Sequence, residues 1–137
     1  MIKAGKIAVK RIKEFFKDGI SFNQETTLCG AGILKNIKTA KNLGYKVILY
    51  YVGLDSVEIA KERVRNRVKN GGHGIPEEDI ERRYNKSFER LTEILPLCDI
   101  AELYDNTERI IKIARIQNGV CIEKVNDVPK WAENILT

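Results

Sequence analysis

The sequence predicts an α/β domain, a three-layer α/β/α sandwich with a mostly parallel sheet. Three observations carry that expectation. Segments with apolar residues at three- and four-residue spacing alternate with short β-branched and aromatic runs. One run, Lys46–Val52 (KVILYYV), is apolar almost throughout, as expected of a strand covered on both faces. A chain of 137 residues with 43% hydrophobic content also suits a single domain, residues 1–137, with its own core.

The elements follow in order. Ile2, Ala4, Ile7, Ala8, Ile12, Phe15 and Phe16 fall mostly at helical spacing, which predicts an amphipathic helix with a lysine-rich outer face. Asp18-Gly19 ends it. Ile20–Leu28 reads as a short strand leading into Cys29-Gly30. Ile33, Ile37 and Ala40 mark a second helix, stopped by Leu43-Gly44, and Lys46–Val52 is the next strand. Asp55 and Glu58 are spaced like a capping box for a helix with a buried stripe of Val57, Ala60, Val64 and Val68. Gly71-Gly72 breaks that helix. Pro76 suits the first turn of another, whose positive end receives Glu77, Glu78 and Asp79. Its seam is Ile80, Tyr84, Phe88, Leu91 and Leu95, and Pro96 closes it. Ile100–Tyr104 is a further strand. Ile110–Ile116 and Val120–Val125 flank Gln117-Asn118-Gly119, a β-hairpin with an Asn-Gly turn. Trp131 anchors a short terminal helix.

The longest apolar run, Val47–Val52, is far too short to span a bilayer, and the basic amino terminus lacks the features of a signal peptide. The expectation is a soluble cytoplasmic protein with no membrane role. Cys29, Cys98 and Cys121 are odd in number and widely spaced, and His73 is the sole histidine. That set cannot make a zinc site, so the thiols read as small buried side chains and no metal ligands are expected. The net charge of +5 includes six basic residues against one acid over Lys3–Lys17. Such an excess favours polyanions without choosing between nucleotide, nucleic acid and acidic protein.

The stretch Val68–Tyr84 (VKNGGHGIPEEDIERRY) concentrates the candidate chemistry. Arg63, Arg65 and Arg67 precede a glycine-rich turn, and Arg82 and Arg83 follow it. Guanidinium suits phosphate because its planar fork donates two parallel hydrogen bonds and keeps its charge. Arg63 and Arg67 are four apart and share a helix face, whereas Arg65 points elsewhere. Adjacent Arg82 and Arg83 diverge by about 100°, so at most one faces the same ligand as Arg67. The alternative is a pair of solvated basic helices. His73 sits among glycines that allow it to approach a ligand, or it is simply a loop residue. Glu25, Thr26 and Thr27 end a predicted strand, where ligands of open α/β sheets gather; the alternative is a strand end whose threonine caps the next helix. Asp105-Asn106 reads as ordinary turn chemistry.

Ser21-Phe22-x-x-Glu25-Thr26-Thr27-Leu28, Gly-Tyr-Lys-Val before a β-run, Arg63-Val64-x-x-Arg67-Val68-x-x-Gly71-Gly72-His73-x-Ile75-Pro76 and Arg82-Arg83-Tyr84-x-x-Ser87 together resemble the zeta-toxin family of P-loop kinases. The likeness is closer to its shorter, stand-alone bacterial branch and runs from about Gly5 to Tyr104. It implies a P-loop-kinase-like fold and transfer of the γ-phosphate of ATP, with Mg²⁺, to a sugar nucleotide such as UDP-N-acetylglucosamine, in a toxin–antitoxin setting. It places Glu25, Thr26 and Thr27 near the substrate sugar. Arg63 and Arg67 would meet the nucleotide, and Arg67, Arg82, Arg83 and His73 would belong to the catalytic lid. In the longer toxins an arginine stands close before the lid proline, where this chain has His73 and Gly74.

The family's first strand, its Gly-x-x-x-x-Gly-Lys-Ser/Thr loop and its base aspartate are absent from these residues. The resemblance therefore describes an N-terminally truncated kinase domain that does not bind ATP and Mg²⁺ productively alone. A missing central strand would leave an open edge, so self-association or a protein partner is expected. A non-catalytic protein- or nucleic-acid-binding module is the alternative. Nucleic acid is the disfavoured partner, because no exposed aromatics are interleaved with the basic residues.

Overall fold

A computed structural model describes residues 2–136, with side chains from Val9 onward. The chain folds as α1 (Ile2–Asp18), α2 (Ala31–Asn42), β1 (Ile48–Gly53), α3 (Val57–Lys69), α4 (Glu77–Ile94), a 3₁₀ turn (Leu95–Leu97), β2 (Ile100–Asp105), β3 (Ile111–Gln117), β4 (Val120–Lys124) and α5 (Lys130–Leu136). No helix among the described residues is long and apolar enough to cross a membrane.

The sheet corrects the expected architecture. It has four strands in the order β1-β2-β3-β4, and only β1 and β2 are parallel. β2–β3 and β3–β4 are antiparallel. The reason is connection length. α3 and α4 together make the long crossover that a parallel pair needs, whereas 106–110 and 118–119 are too short to carry the chain back. The hairpin turn is Asn118-Gly119, both residues at positive φ (50° and 81°), as a type I′ turn requires.

The three-layer expectation fails as well. One core unites Leu103, Ala101, Ala114 and Ile116 of the sheet with Leu91 and Ile94 of α4 and Trp131, Ala132 and Leu136 of α5. Ile33, Leu34 and Ile37 of α2 pack against it. These strand residues share one face. On the other, Ile48, Tyr50 and Val52 are 46%, 65% and 51% exposed, so β1 is covered on one side only. β1 is also an edge strand.

Other expectations are corrected locally. Ile20–Leu28 forms no strand. It is an irregular segment held by its side chains: the Phe22 ring packs against those of Phe15, Phe16 and Tyr45, and Leu28 enters the core. Leu28 holds φ 62° there, an uncommon conformation for a side-chain-bearing residue. The Tyr45 hydroxyl donates to the Phe15 and Ile20 carbonyls at 3.0 Å each, tying the end of α1 to this segment. Ile2, Ala4, Ile7 and Ala8, with Lys3 and Lys6, lie outside the described side chains. The cap of α3 is Ser56, which accepts from the Ile59 N–H at 3.4 Å, not Asp55. None of the apolar residues of α3 is fully buried, and Val68 is exposed. Of the cysteines only Cys98 is buried, and its burial pushes the thiol up to about 11.

Candidate functional site

α3 and α4 lean against each other beyond the carboxyl end of β1 and enclose a cleft of about 320 Å³. α3 presents Ala60, Arg63, Val64 and Arg67, which recur at helical spacing. α4 presents Ile80, Arg83 and Tyr84 by the same rule. Leu54 follows β1 directly, Ile75 comes from the turn between the helices, and Thr27 and Cys29 come from the segment before α2. The walls are largely aliphatic, and no acidic side chain is among the lining residues.

The helix pair is braced from outside the cleft. Arg65 pairs with Glu77 across the turn at 2.6 Å, and Lys61 reaches Glu81 at 3.3 Å. The Tyr84 hydroxyl donates to the Leu54 carbonyl at 2.7 Å, which fixes α4 against the end of β1. Desolvation there pushes the Tyr84 hydroxyl upward. The Cys29 thiol donates to the Arg83 carbonyl at 3.4 Å and docks the Thr27 segment on α4. Tyr51 and Ser87 hydroxyls meet at 3.3 Å just behind, and burial raises the Tyr51 hydroxyl.

The arginines divide by commitment. Arg63 donates to the Asn106 and Thr107 carbonyls, the latter at 2.8 Å, so it latches α3 to the turn after β2. Arg65 is spent on Glu77, and Arg82 lies beside Asp79 at 3.4 Å, off the cleft. Arg67 and Arg83 line the cleft, and no ion pair holds either one among the described residues. Of Arg82 and Arg83, Arg83 is among the lining residues and keeps the i, i+3, i+4 phase of Ile80 and Tyr84, whereas Arg82 is not.

The remaining candidates scatter. Thr27 lines the cleft. The Thr26 hydroxyl accepts from the Leu28 N–H at 3.0 Å, and Glu25 is exposed and away from the cleft lining. His73 is exposed in the turn and is not part of the lining. Asp105 is a structural carboxylate, accepting from the Thr107 hydroxyl at 2.8 Å and the Trp131 indole at 2.9 Å. Sequence reasoning missed Cys29 as a lining residue and gave Tyr84 only to the seam. The helical phase shared with Arg83 was the available signal for Tyr84. None existed for Cys29, whose place depends on an irregular segment.

The donor set fits phosphate oxygens: two uncommitted guanidinium groups, a threonine hydroxyl and no opposing carboxylate. It does not fit Mg²⁺, which takes hard oxygen ligands, commonly carboxylates. Among the described residues no three His, Cys, Asp or Glu side chains are grouped to hold a metal ion.

No family model matches the chain, and no solved structure matches it. A Haemophilus influenzae protein described only as uncharacterized is 42% identical over 83 residues, 61% of this chain. The match spans 59% of that relative's length.

Proposed function

We propose that the α3–α4 cleft binds the phosphates of a nucleotide or sugar nucleotide, and that this chain alone holds such a ligand without transferring a phosphoryl group. The reading extends the likeness to zeta-toxin kinases. One observation carries it: Arg67 and Arg83, from two different helices, line the same cleft with no acidic partner, while Arg63, which also lines it, is held by the Asn106 and Thr107 carbonyls and Arg65 and Arg82 are paired off the cleft. Two guanidinium groups on either side of a cleft clamp an anion; one would only attract it.

Transfer needs more. Phosphoryl-transfer enzymes of this class rely on loop amides, a loop lysine and Mg²⁺ to align the attack and neutralise charge. The 137 residues contain no Gly-x-x-x-x-Gly-Lys-Ser/Thr sequence to supply them. Calorimetric titration with ATP and with UDP-N-acetylglucosamine tests the clamp. Arg67→Ala and Arg83→Ala each weaken binding about tenfold or more, in line with hydrogen bonds to charged groups. Arg82→Ala leaves it unchanged. Equal losses in all three variants would reduce the effect to general charge. Sugar-nucleotide-dependent ATP turnover above that of Arg67→Ala would overturn the absence of transfer.

A second reading, a non-catalytic module that self-associates or takes a protein partner, is favoured by the open edge and open apolar side of β1. Sedimentation at micromolar concentration tests it; a clean monomer that captures no protein partner ends it.

A further inference from the structure

We propose that Gly72 is a positioning residue for the phosphate clamp: its bare α-carbon is the surface over which the Arg67 side chain folds into the cleft. The proposal rests on the clamp reading above and names a residue that reading does not use.

α3 ends in a Schellman turn. The Gly71 N–H donates to the Val68 carbonyl at 3.1 Å and the Gly72 N–H to the Arg67 carbonyl at 2.8 Å. Gly71 takes the left-handed position, φ +89°. In such a turn the third-last helical residue and the second residue past the cap usually meet through apolar side chains. Here those two residues are Arg67 and Gly72, and the contact is the arginine's aliphatic stem against backbone.

The adjacent glycines therefore do different jobs. A methyl group at Gly71 would meet nothing, so only its φ demands glycine. A methyl group at Gly72 would overlap the Arg67 Cγ and lie 3.1 Å from its Cδ. Cγ is the second carbon of the side chain. With the turn held in place, it clears the methyl by a change of rotamer about the first bond, and that change re-aims the whole guanidinium. The same substitution brings the methyl 3.0 Å from the Arg67 carbonyl oxygen, a contact that disturbs the turn without touching the guanidinium.

Titration of the full chain with tripolyphosphate separates these effects. Gly72→Ala lowers affinity as much as Arg67→Ala, about tenfold or more for a lost charge-assisted contact. The double variant binds no more weakly than Arg67→Ala alone, because both changes remove one contact. Gly71→Ala lowers the thermal midpoint and keeps wild-type affinity. Wild-type affinity in Gly72→Ala, or additive losses in the double variant, overturns the proposal. Should Gly72→Ala be too unstable to titrate, the midpoint itself decides: its drop shrinks in the Arg67→Ala background, where the stem is gone, and an equal drop in both backgrounds counts against the proposal. If Arg67→Ala binds tripolyphosphate like wild type, the clamp falls and the role of Gly72 with it. Failure of Gly72→Ala alone leaves the clamp standing.

Discussion

The two faces of the sheet are built from the same strands and meet opposite fates. On one face Leu49, Tyr51, Ala101, Leu103, Ala114 and Ile116 pack under α2, α4 and α5, and Leu103 is fully buried. On the other, Ile48, Tyr50 and Val52 stand in the open beside a polar cluster. There Glu102 accepts from the Tyr104 hydroxyl at 2.9 Å and lies 3.4 Å from Arg115 and 3.6 Å from Lys112. That hydrogen bond raises the Tyr104 hydroxyl. Strand parity separates the residues into two sets, but what covers each set depends on where the helices go. Hydrophobicity alone does not say which side is inside.

Substitutions sharpen the contrast, beginning with the covered face. Leu103→Ala removes a fully buried side chain and should cost about 2–5 kcal/mol in chemical denaturation. A loss below about 1 kcal/mol would mean that the packed face is not the core. Gly53, at the end of β1, receives the Trp131 ring against its bare α-carbon, and the indole is held by Asp105. Gly53→Ala should therefore cost about 1–3 kcal/mol by overpacking and shift the Trp131 fluorescence.

Asp99 pins α2, on the covered side, to the start of the sheet. It accepts from the Val47 N–H at 2.7 Å and from Lys41 Nζ at 2.9 Å, and those bonds hold its carboxyl below the usual range. Asp99→Ala should cost about 1–2 kcal/mol at neutral pH. The sign with pH follows from the lowered value. The contribution is present above the ordinary aspartate pKa, about 3.9, and is lost as pH falls through the depressed folded value. Wild type and Asp99→Ala should thus converge in stability below about pH 4, and a gap that persists in acid would rule out the carboxylate as its source. The smallest effect belongs to the open face: Tyr50→Ser should change the stability of an isolated chain by no more than about 0.5 kcal/mol. A larger loss that grows with protein concentration would show that β1 is covered by another chain.

Much of the local structure was legible. The hairpin turn, the helix carrying Trp131, the long helix after Pro76 and the apolar seam through Ile80, Leu91 and Leu95 all follow from patterns that act over a few residues. The strand at Ile20–Leu28 did not form, because a strand needs a partner and no sequence window contains one. The site was legible in the same measure. Helical phase grouped Arg63 with Arg67 and left one of Arg82 and Arg83, whereas the diversion of Arg63 to the carbonyls of Asn106 and Thr107 depends on a turn more than forty residues away.

By itself, then, the sequence determined the helices and all the strands but the one expected at Ile20–Leu28, where glycine and proline end them, and which arginines share a helix face. These are consequences of backbone dihedral preference and of periods of two and 3.6 residues, both local properties. Only the tertiary structure decided that the sheet is mixed and covered on one side, that Ile48, Tyr50 and Val52 face outward, and that Arg67 and Arg83 meet across one cleft. Those outcomes depend on which distant surfaces are available to pair and pack. Pairing and burial act between residues far apart in the chain, so no local pattern encodes them.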